Sequence, residues 1–202
     1  MTNDFRNTYL DYDALTATLQ GWAAAHPDVA TVQSIGQTDE GRDIWLLTIG
    51  PEPDRIRPAV WVDGNMHATE FCGSSVALAI AEDMLRLHTT GEPPPTITAP
   101  AANVLRDVLF YVVPRVSPDG AERMLKEHRY VRSNNRDERP DRSRSFWRNA
   151  DVDGDGLALM MRVADPTGEL VESADLPNLM LPRRIDDDGP YFKIYPEGMI
   201  EN

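Results

Sequence analysis

The sequence predicts an α/β domain, a β-sheet layered with helices, on three observations. Apolar runs of strand length, such as AVWVDG and VLFYVVP, alternate with segments whose apolar residues recur at helical spacing. VLFYVVP (108–114) is apolar almost throughout, the mark of a central strand covered on both faces. Links rich in Gly, Pro and Asp separate the runs, and strands alternating with helices belong to layered α/β architectures.

The elements follow in order. YDALTATLQGWAAAHP puts Leu15, Leu19, Trp22 and Ala23 on one helical face, and Pro27 ends the helix. VATVQSIG and IWLLTIG read as strands joined through QTDEGRD, a hairpin. AVWVDG is a third strand, and SSVALAIAEDMLRLH a strong helix. GEPPPTITAPA is expected to be a loop with little helix in it. From Glu127 to Asn149 the chain carries seven arginines and few apolar residues. Beyond that stretch, DVDGDG, DPTGE and RRIDDDGPYF predict acidic turns and short strands without a long amphipathic helix.

The 202 residues suffice for one sizeable domain, and 41% apolar with 26% charged residues is ordinary for a soluble protein. A net charge of −13 argues against nucleic acid and anionic membrane as partners, which both need clustered positive charge. The arginines interleave with Asp137, Glu138 and Asp141, a pattern of internal ion pairing. Cys72 is the only cysteine, so no internal disulfide forms, and as a small apolar side chain it is expected in the core. The polar start MTNDFRNTYL has no apolar leader and no run reaches membrane-span length, so the expected location is the cytoplasm.

One stretch carries chemistry. In VDGNMHATEFCGSS, His67 and Glu70 stand three residues apart where a strand ends and a helix is about to start. That spacing puts both side chains on one helical face or on the outside of a tight turn. Imidazole and carboxylate are ordinary zinc ligands, and two of them with one distant histidine make a catalytic site with an open position. The end of a strand is also where open α/β sheets bind ligands. The competing reading gives His67 a turn and Glu70 the favourable first turn of a helix.

SIGQTDEGRDIWLLTIG, VDGNMHATEFCGSS and YVVPRVSPDGAERML together resemble, in order and spacing, the zinc carboxypeptidase family over about residues 10–136. The matching blocks are Asp39-Glu40-Gly41-Arg42, Gly64 through His67 to Glu70, and Ser117-Pro118-Asp119-Gly120. The resemblance implies a twisted mixed β-sheet flanked by helices, incomplete in this chain. Residues 1–136 would be the N-terminal part of that domain, and 137–202 an acidic, Arg-rich insertion in it. It implies Zn2+ held by His67 and Glu70, and hydrolysis of a C-terminal peptide bond by metal-activated water. It implies an arginine that stabilises the oxyanion, for which Arg136 in RSNNR is the best match and Arg132 the second; the other role open to both is pairing with acidic neighbours.

The family's third histidine ligand, its glutamate base and its Asn-Arg carboxylate grip have no matching block; Arg148-Asn149 has the letters reversed. His26 ends the first helix, and His88 closes a helix that puts it about 25 Å from the metal at ~1.5 Å per residue. His128 remains as a geometric candidate for the third ligand, and Glu197 is a poor candidate for the base. Truncation is the expectation these gaps suggest: a chain that binds zinc weakly and has no peptidase activity alone. Asp151, Asp153, Asp155 and Gly156 have the spacing of half a calcium loop, with Arg162 where its bidentate glutamate belongs, so an acidic turn is the favoured reading and Ca2+ the other. Three functions stay open: a metallocarboxypeptidase acting on peptides, an amide hydrolase of the same superfamily acting on a small acyl-amino acid, and a non-catalytic binding module. Oligomeric state has no signature.

Overall fold

A computed structural model describes residues 4–128, 131–132 and 145–201. The chain divides into two units, one of residues 1–127 and 131–137, the other of 128–130 and 138–202.

In the first unit, helix α1 (Tyr12–Ala25) starts where the Asp11 side chain accepts a hydrogen bond from the Ala14 amide at 2.9 Å, an N-cap that satisfies an orphan donor. Its inner face buries Leu15 and Leu19, and Trp22 packs against the same core. Strands β1 (Ala30–Gln37) and β2 (Asp43–Ile49) form the expected antiparallel hairpin, from Ala30 opposite Ile49 to Gln37 opposite Asp43. Strand β3 (Ala59–Asp63) leads to helix α2 (Cys72–Thr90), and the chain returns through α3 (Ala99–Leu105) to strand β4 (Leu109–Val113). The sheet order is β1-β2-β4-β3, with β4 antiparallel to β2 and parallel to β3. The sheet is therefore mixed. β4 is central as its unbroken apolar run requires, with Leu109, Phe110, Val112 and Val113 buried. α2 turns the stripe Ala77, Leu78, Ala81, Met84 and Leu85 into the core and ends at Gly91, whose φ of 78° is the left-handed cap that glycine allows.

Two expectations are corrected. α3 begins at Ala99, inside the stretch read as loop; Pro100 sits in the first helical turn, where its missing N–H costs nothing. Cys72 is exposed rather than core. It begins α2 off the buried stripe, beside Phe5, Arg6, Tyr9, Ser75 and Val76, which line an open groove. A fourth helix, α4 (Pro118–Glu127), follows β4 and was not predicted; Pro118 and Asp119 in its first turn were the available signal.

A buried polar cluster joins these elements. Arg115 donates through Nη2 to the Leu10 carbonyl at 2.8 Å and through Nε to Ser74 Oγ at 3.3 Å, while Glu122 Oε1 accepts from the Tyr12 amide at 2.7 Å. The Arg115 and Glu122 charges stand 3.8 Å apart, both buried. Burial lowers the Arg115 pKa to about 10, against the pull of Glu122 and Asp11, so the guanidinium stays charged at neutral pH.

Among its described residues the second unit holds six short strands, as the acidic half of the sequence predicts. β5 (Phe146–Asn149) pairs with β10 (Gly198–Glu201). β6 (Met160–Ala164), β7 (Leu170–Glu172), β8 (Met180–Pro182) and β9 (Phe192–Pro196) form a sheet of order β6-β9-β7-β8. Among the described residues no helix is long and apolar enough to cross a membrane.

His88, in the last turn of α2, is half-buried, and its Nε2 is buried with no hydrogen-bond partner among the described residues. Burial first, then the positive charges of Arg57 and Arg106, lower its pKa. The folded chain thus keeps His88 neutral at pH values where the unfolded chain protonates it. Its contribution is complete above about pH 6.5 and is lost as pH falls from there through the folded value. Urea midpoints measured from pH 7.5 downwards should fall more for the wild type than for His88→Gln, whose side chain does not titrate.

Candidate metal centre

His67 and Glu70 lie in the turn between β3 and α2, before the helix begins. The tight-turn alternative, rather than the helical face, is the one the chain adopts. The Glu70 amide donates to the His67 carbonyl at 3.0 Å, closing the turn and aiming both side chains the same way. His67 Nδ1 and Glu70 Oε1 are 2.9 Å apart. Both side chains are reachable from solvent, 32% and 57% exposed.

What holds the turn is mostly backbone. A Cβ on Gly64 would stand 2.4 Å from the carbonyl oxygen of Gly73, so the end of β3 touches the first turn of α2 as only glycine permits. Asn65, buried and at φ 53°, donates from Nδ2 to the His67 carbonyl at 2.7 Å. The Gly64 amide donates to the Val113 carbonyl, and the Val116 and Ser117 amides donate to the carbonyls of Gly64 and Asn65, at 3.0, 3.0 and 3.1 Å. Ser117 Oγ donates to the Met66 carbonyl at 2.6 Å. Asp119 then reaches the hairpin loop, where its Oδ1 accepts from Thr38 Oγ1 and from Arg42 Nη1, each at 2.8 Å. Glu40 pairs with Arg42 at 2.6 Å and with Arg123 at 2.8 Å. Its partial burial opposes ionisation, and the two guanidinium partners outweigh that and hold its carboxyl below the usual range. The three blocks read from the sequence are thus one interlocked unit around the His67–Glu70 turn.

Sequence reasoning missed Asn65 and Ser117 as parts of this clasp, although both lie inside the quoted blocks.

The other predicted residues fall as follows. Arg132 is exposed, and its Nη2 lies 3.2 Å from His67 Nε2; its carbonyl accepts from the Ala68 amide at 2.6 Å. Arg136, like Asp137, Glu138 and Asp141, lies outside the described residues. His26 caps the end of α1, and its amide donates to the Trp22 carbonyl. His128 is exposed after α4 with a φ of 52°. Asp151, Asp153 and Asp155 bring carboxylate oxygens within 4.8 Å of one another, and they are exposed. Their oxygens accept from the Gly154, Gly156, Asp155 and Leu157 amides at 2.7 to 3.1 Å, the local bonds of an acidic turn. The Glu197 carboxylate is buried and accepts from the Val152, Asp153 and Leu159 amides, which hold its carboxyl below the usual range, with the Val152 bond the largest influence. It is a clasp for that turn, unlike a base, whose carboxylate must face substrate.

The donor set of the His67 turn fits zinc, since an imidazole nitrogen and a carboxylate oxygen converge on one point. Among the described residues no third histidine, cysteine or carboxylate gathers with them.

The fold is that of a mixed sheet flanked by helices, with the His67–Glu70 turn beyond its strand ends. The family model of zinc carboxypeptidases matches residues 15–158, and the chain belongs to that family. It is 31% identical over 113 residues to a carboxypeptidase B of Astacus astacus, covering 56% of this chain and 34% of the relative. It is 27% identical over 155 residues to an "inactive metallocarboxypeptidase" of Ajellomyces capsulatus, covering 75% of this chain and 24% of the relative. The structure of carboxypeptidase A from Helicoverpa armigera superposes with a TM-score of 0.56 at 22% identity, over 67% of this chain and 31% of that one. The likeness of that structure is one of fold. The chain spans about a third or less of the length of these relatives.

Gly64→Ala should cost about 1–3 kcal/mol of stability, because the added methyl meets backbone that cannot yield. The cost is read as a lower urea midpoint at unchanged slope. Gly36→Ala, where a Cβ meets nothing within 4 Å, should stay within about 0.5 kcal/mol of wild type.

Proposed function

We propose that His67, through Nδ1, and Glu70, through Oε1, are zinc ligands of a metallocarboxypeptidase that hydrolyses the C-terminal peptide bond of its substrate. The observation that carries this reading is the 2.9 Å convergence of the two donors in a turn held by all three family blocks. Zinc bound there supplies Lewis-acid polarisation of a carbonyl and an acidified water. The chain's own part is to offer one imidazole nitrogen and one carboxylate oxygen on a single turn, with Gly64 and Asn65 fixing their aim. Arg132, whose guanidinium lies beside His67 Nε2, is the described candidate for stabilising a carbonyl oxygen that gains charge once its side chain turns towards the metal, the role that Arg136 would otherwise fill. Hydrolysis of a small acyl-amino acid amide would use the same donors, and substrate profiling separates it from peptide cleavage.

A non-catalytic reading also has an observation in its favour. A catalytic zinc site takes three protein ligands, and the described residues bring two together. The name of the Ajellomyces capsulatus relative points the same way. The 202-residue chain is therefore expected to bind zinc weakly and to release no C-terminal residue from an acylated dipeptide. Equilibrium dialysis should show one weakly held zinc, lost in His67→Ala and in Glu70→Ala. Zinc binding indifferent to both substitutions would remove the assignment, and efficient turnover by this chain would remove the two-donor reading.

The Asp151–Asp155 turn is the candidate for Ca2+, supported by its three clustered carboxylates. A calcium-dependent rise in melting temperature, abolished by Asp153→Asn, is the expected sign of such a site; an unchanged melting temperature leaves the acidic turn alone.

A further inference from the structure

Arg132 stands where a metal-binding histidine needs a different neighbour. A neutral imidazole has one N–H and one lone pair, and a guanidinium has donors only. Arg132 Nη2, 3.2 Å from His67 Nε2, can hydrogen-bond there only if Nε2 offers its lone pair. The ring proton then sits on Nδ1 and is donated to Glu70 Oε1 at 2.9 Å. One tautomer satisfies both contacts. A metal shared by His67 and Glu70 must lie at Nδ1, the nitrogen that faces the carboxylate. That requires the opposite tautomer, with the proton on Nε2 pointing at Arg132, donor against donor. A ligating histidine ordinarily gives its second N–H to a carboxylate, a carbonyl or water.

We propose that Arg132 is a latch on the metal turn: its guanidinium holds His67 in the tautomer that cannot bind metal beside Glu70, and metal entry requires that side chain to swing away. The inference rests on the zinc reading above. The backbone need not move, because the Arg132 carbonyl stays bound to the Ala68 amide at 2.6 Å, one residue from His67. The side chain has room to leave, since Arg132 is exposed. A guanidinium freed in this way would be available to a substrate only after the metal is in place, which couples loading to the readiness of the site.

The test is zinc binding by the full chain, with zinc alone as probe, for wild type, Arg132→Gln, Arg132→Lys and His67→Ala. The glutamine amide oxygen can accept from Nε2–H, whereas lysine keeps a cationic donor. Outer-shell partners shift metal affinity by about 10–100-fold. Arg132→Gln should therefore bind zinc about tenfold or more tighter, with Arg132→Lys near wild type. In metal-free protein labelled with 15N at histidine, His67 should carry its proton on Nδ1 in the wild type and move it towards Nε2 in Arg132→Gln. Equal or weaker zinc affinity in Arg132→Gln, with binding still dependent on His67, overturns the latch and leaves the zinc reading standing. A metal-free wild type already protonated on Nε2 overturns the latch whatever the affinities are. Zinc binding that is absent or independent of His67 in every variant overturns the zinc reading and the latch with it.

Discussion

The site depends first on a contact between two backbones. Gly64 follows the last residue of β3 and Gly73 stands in the first turn of α2, and a methyl on either would collide with the main chain of the other segment. Eight residues connect them, and the close approach forces those eight into a tight turn. His67 and Glu70 are on that turn, so their convergence follows from a packing distance between glycines. A bulkier pair would hold strand and helix apart and let the imidazole and carboxylate diverge. Metal ligands need positions fixed to within fractions of an ångström, and backbone contact supplies that better than side chains free to change rotamer.

Charge pairing fixes what surrounds the turn. Asp119, with its side chain 13% exposed, ties Thr38 and Arg42 to the start of α4, and Ser117 ties the same helix start to Met66. Beneath them Arg115 and Glu122 form a buried pair whose hydrogen bonds go mainly to the backbones of Leu10 and Tyr12. Such a pair adds little net stability, because desolvation offsets most of the attraction. Removing one member strands the other, so the pair enforces one arrangement of α1, α4 and the end of β4. Its value to the site is specificity of position.

Much of this was legible because it is local. The apolar run of β4, the helical stripe of α2 and the hairpin each follow from residues within one element. The His67–Glu70 pair was legible for the same reason. α3 and α4 were not read as helices because each carries a proline near its start, and a proline read by itself is a stop signal, although the first helical turn accepts it. Cys72 was misplaced because its size suggests a core, whereas its helical phase faces the groove beside Tyr9 and Val76. The contact of Arg132 with His67 spans 65 positions, and no pattern in a single sequence encodes such a pairing.

Strand direction explains why the distant blocks meet. β3 and β4 run parallel side by side, so the turns after both leave the same end of the sheet. The first becomes the His67 turn and the second the Ser117–Gly120 start of α4. β2 runs antiparallel to β4, so its beginning lies at that end too, and it brings the loop of Asp39 to Arg42 with it. Reversing any one of the three strands would move its block to the far end of the sheet, about a strand length away. Blocks that look unrelated along the chain therefore act together: the hairpin and the Ser-Pro-Asp-Gly segment are the frame in which the His67 imidazole and the Glu70 carboxylate are made to face each other.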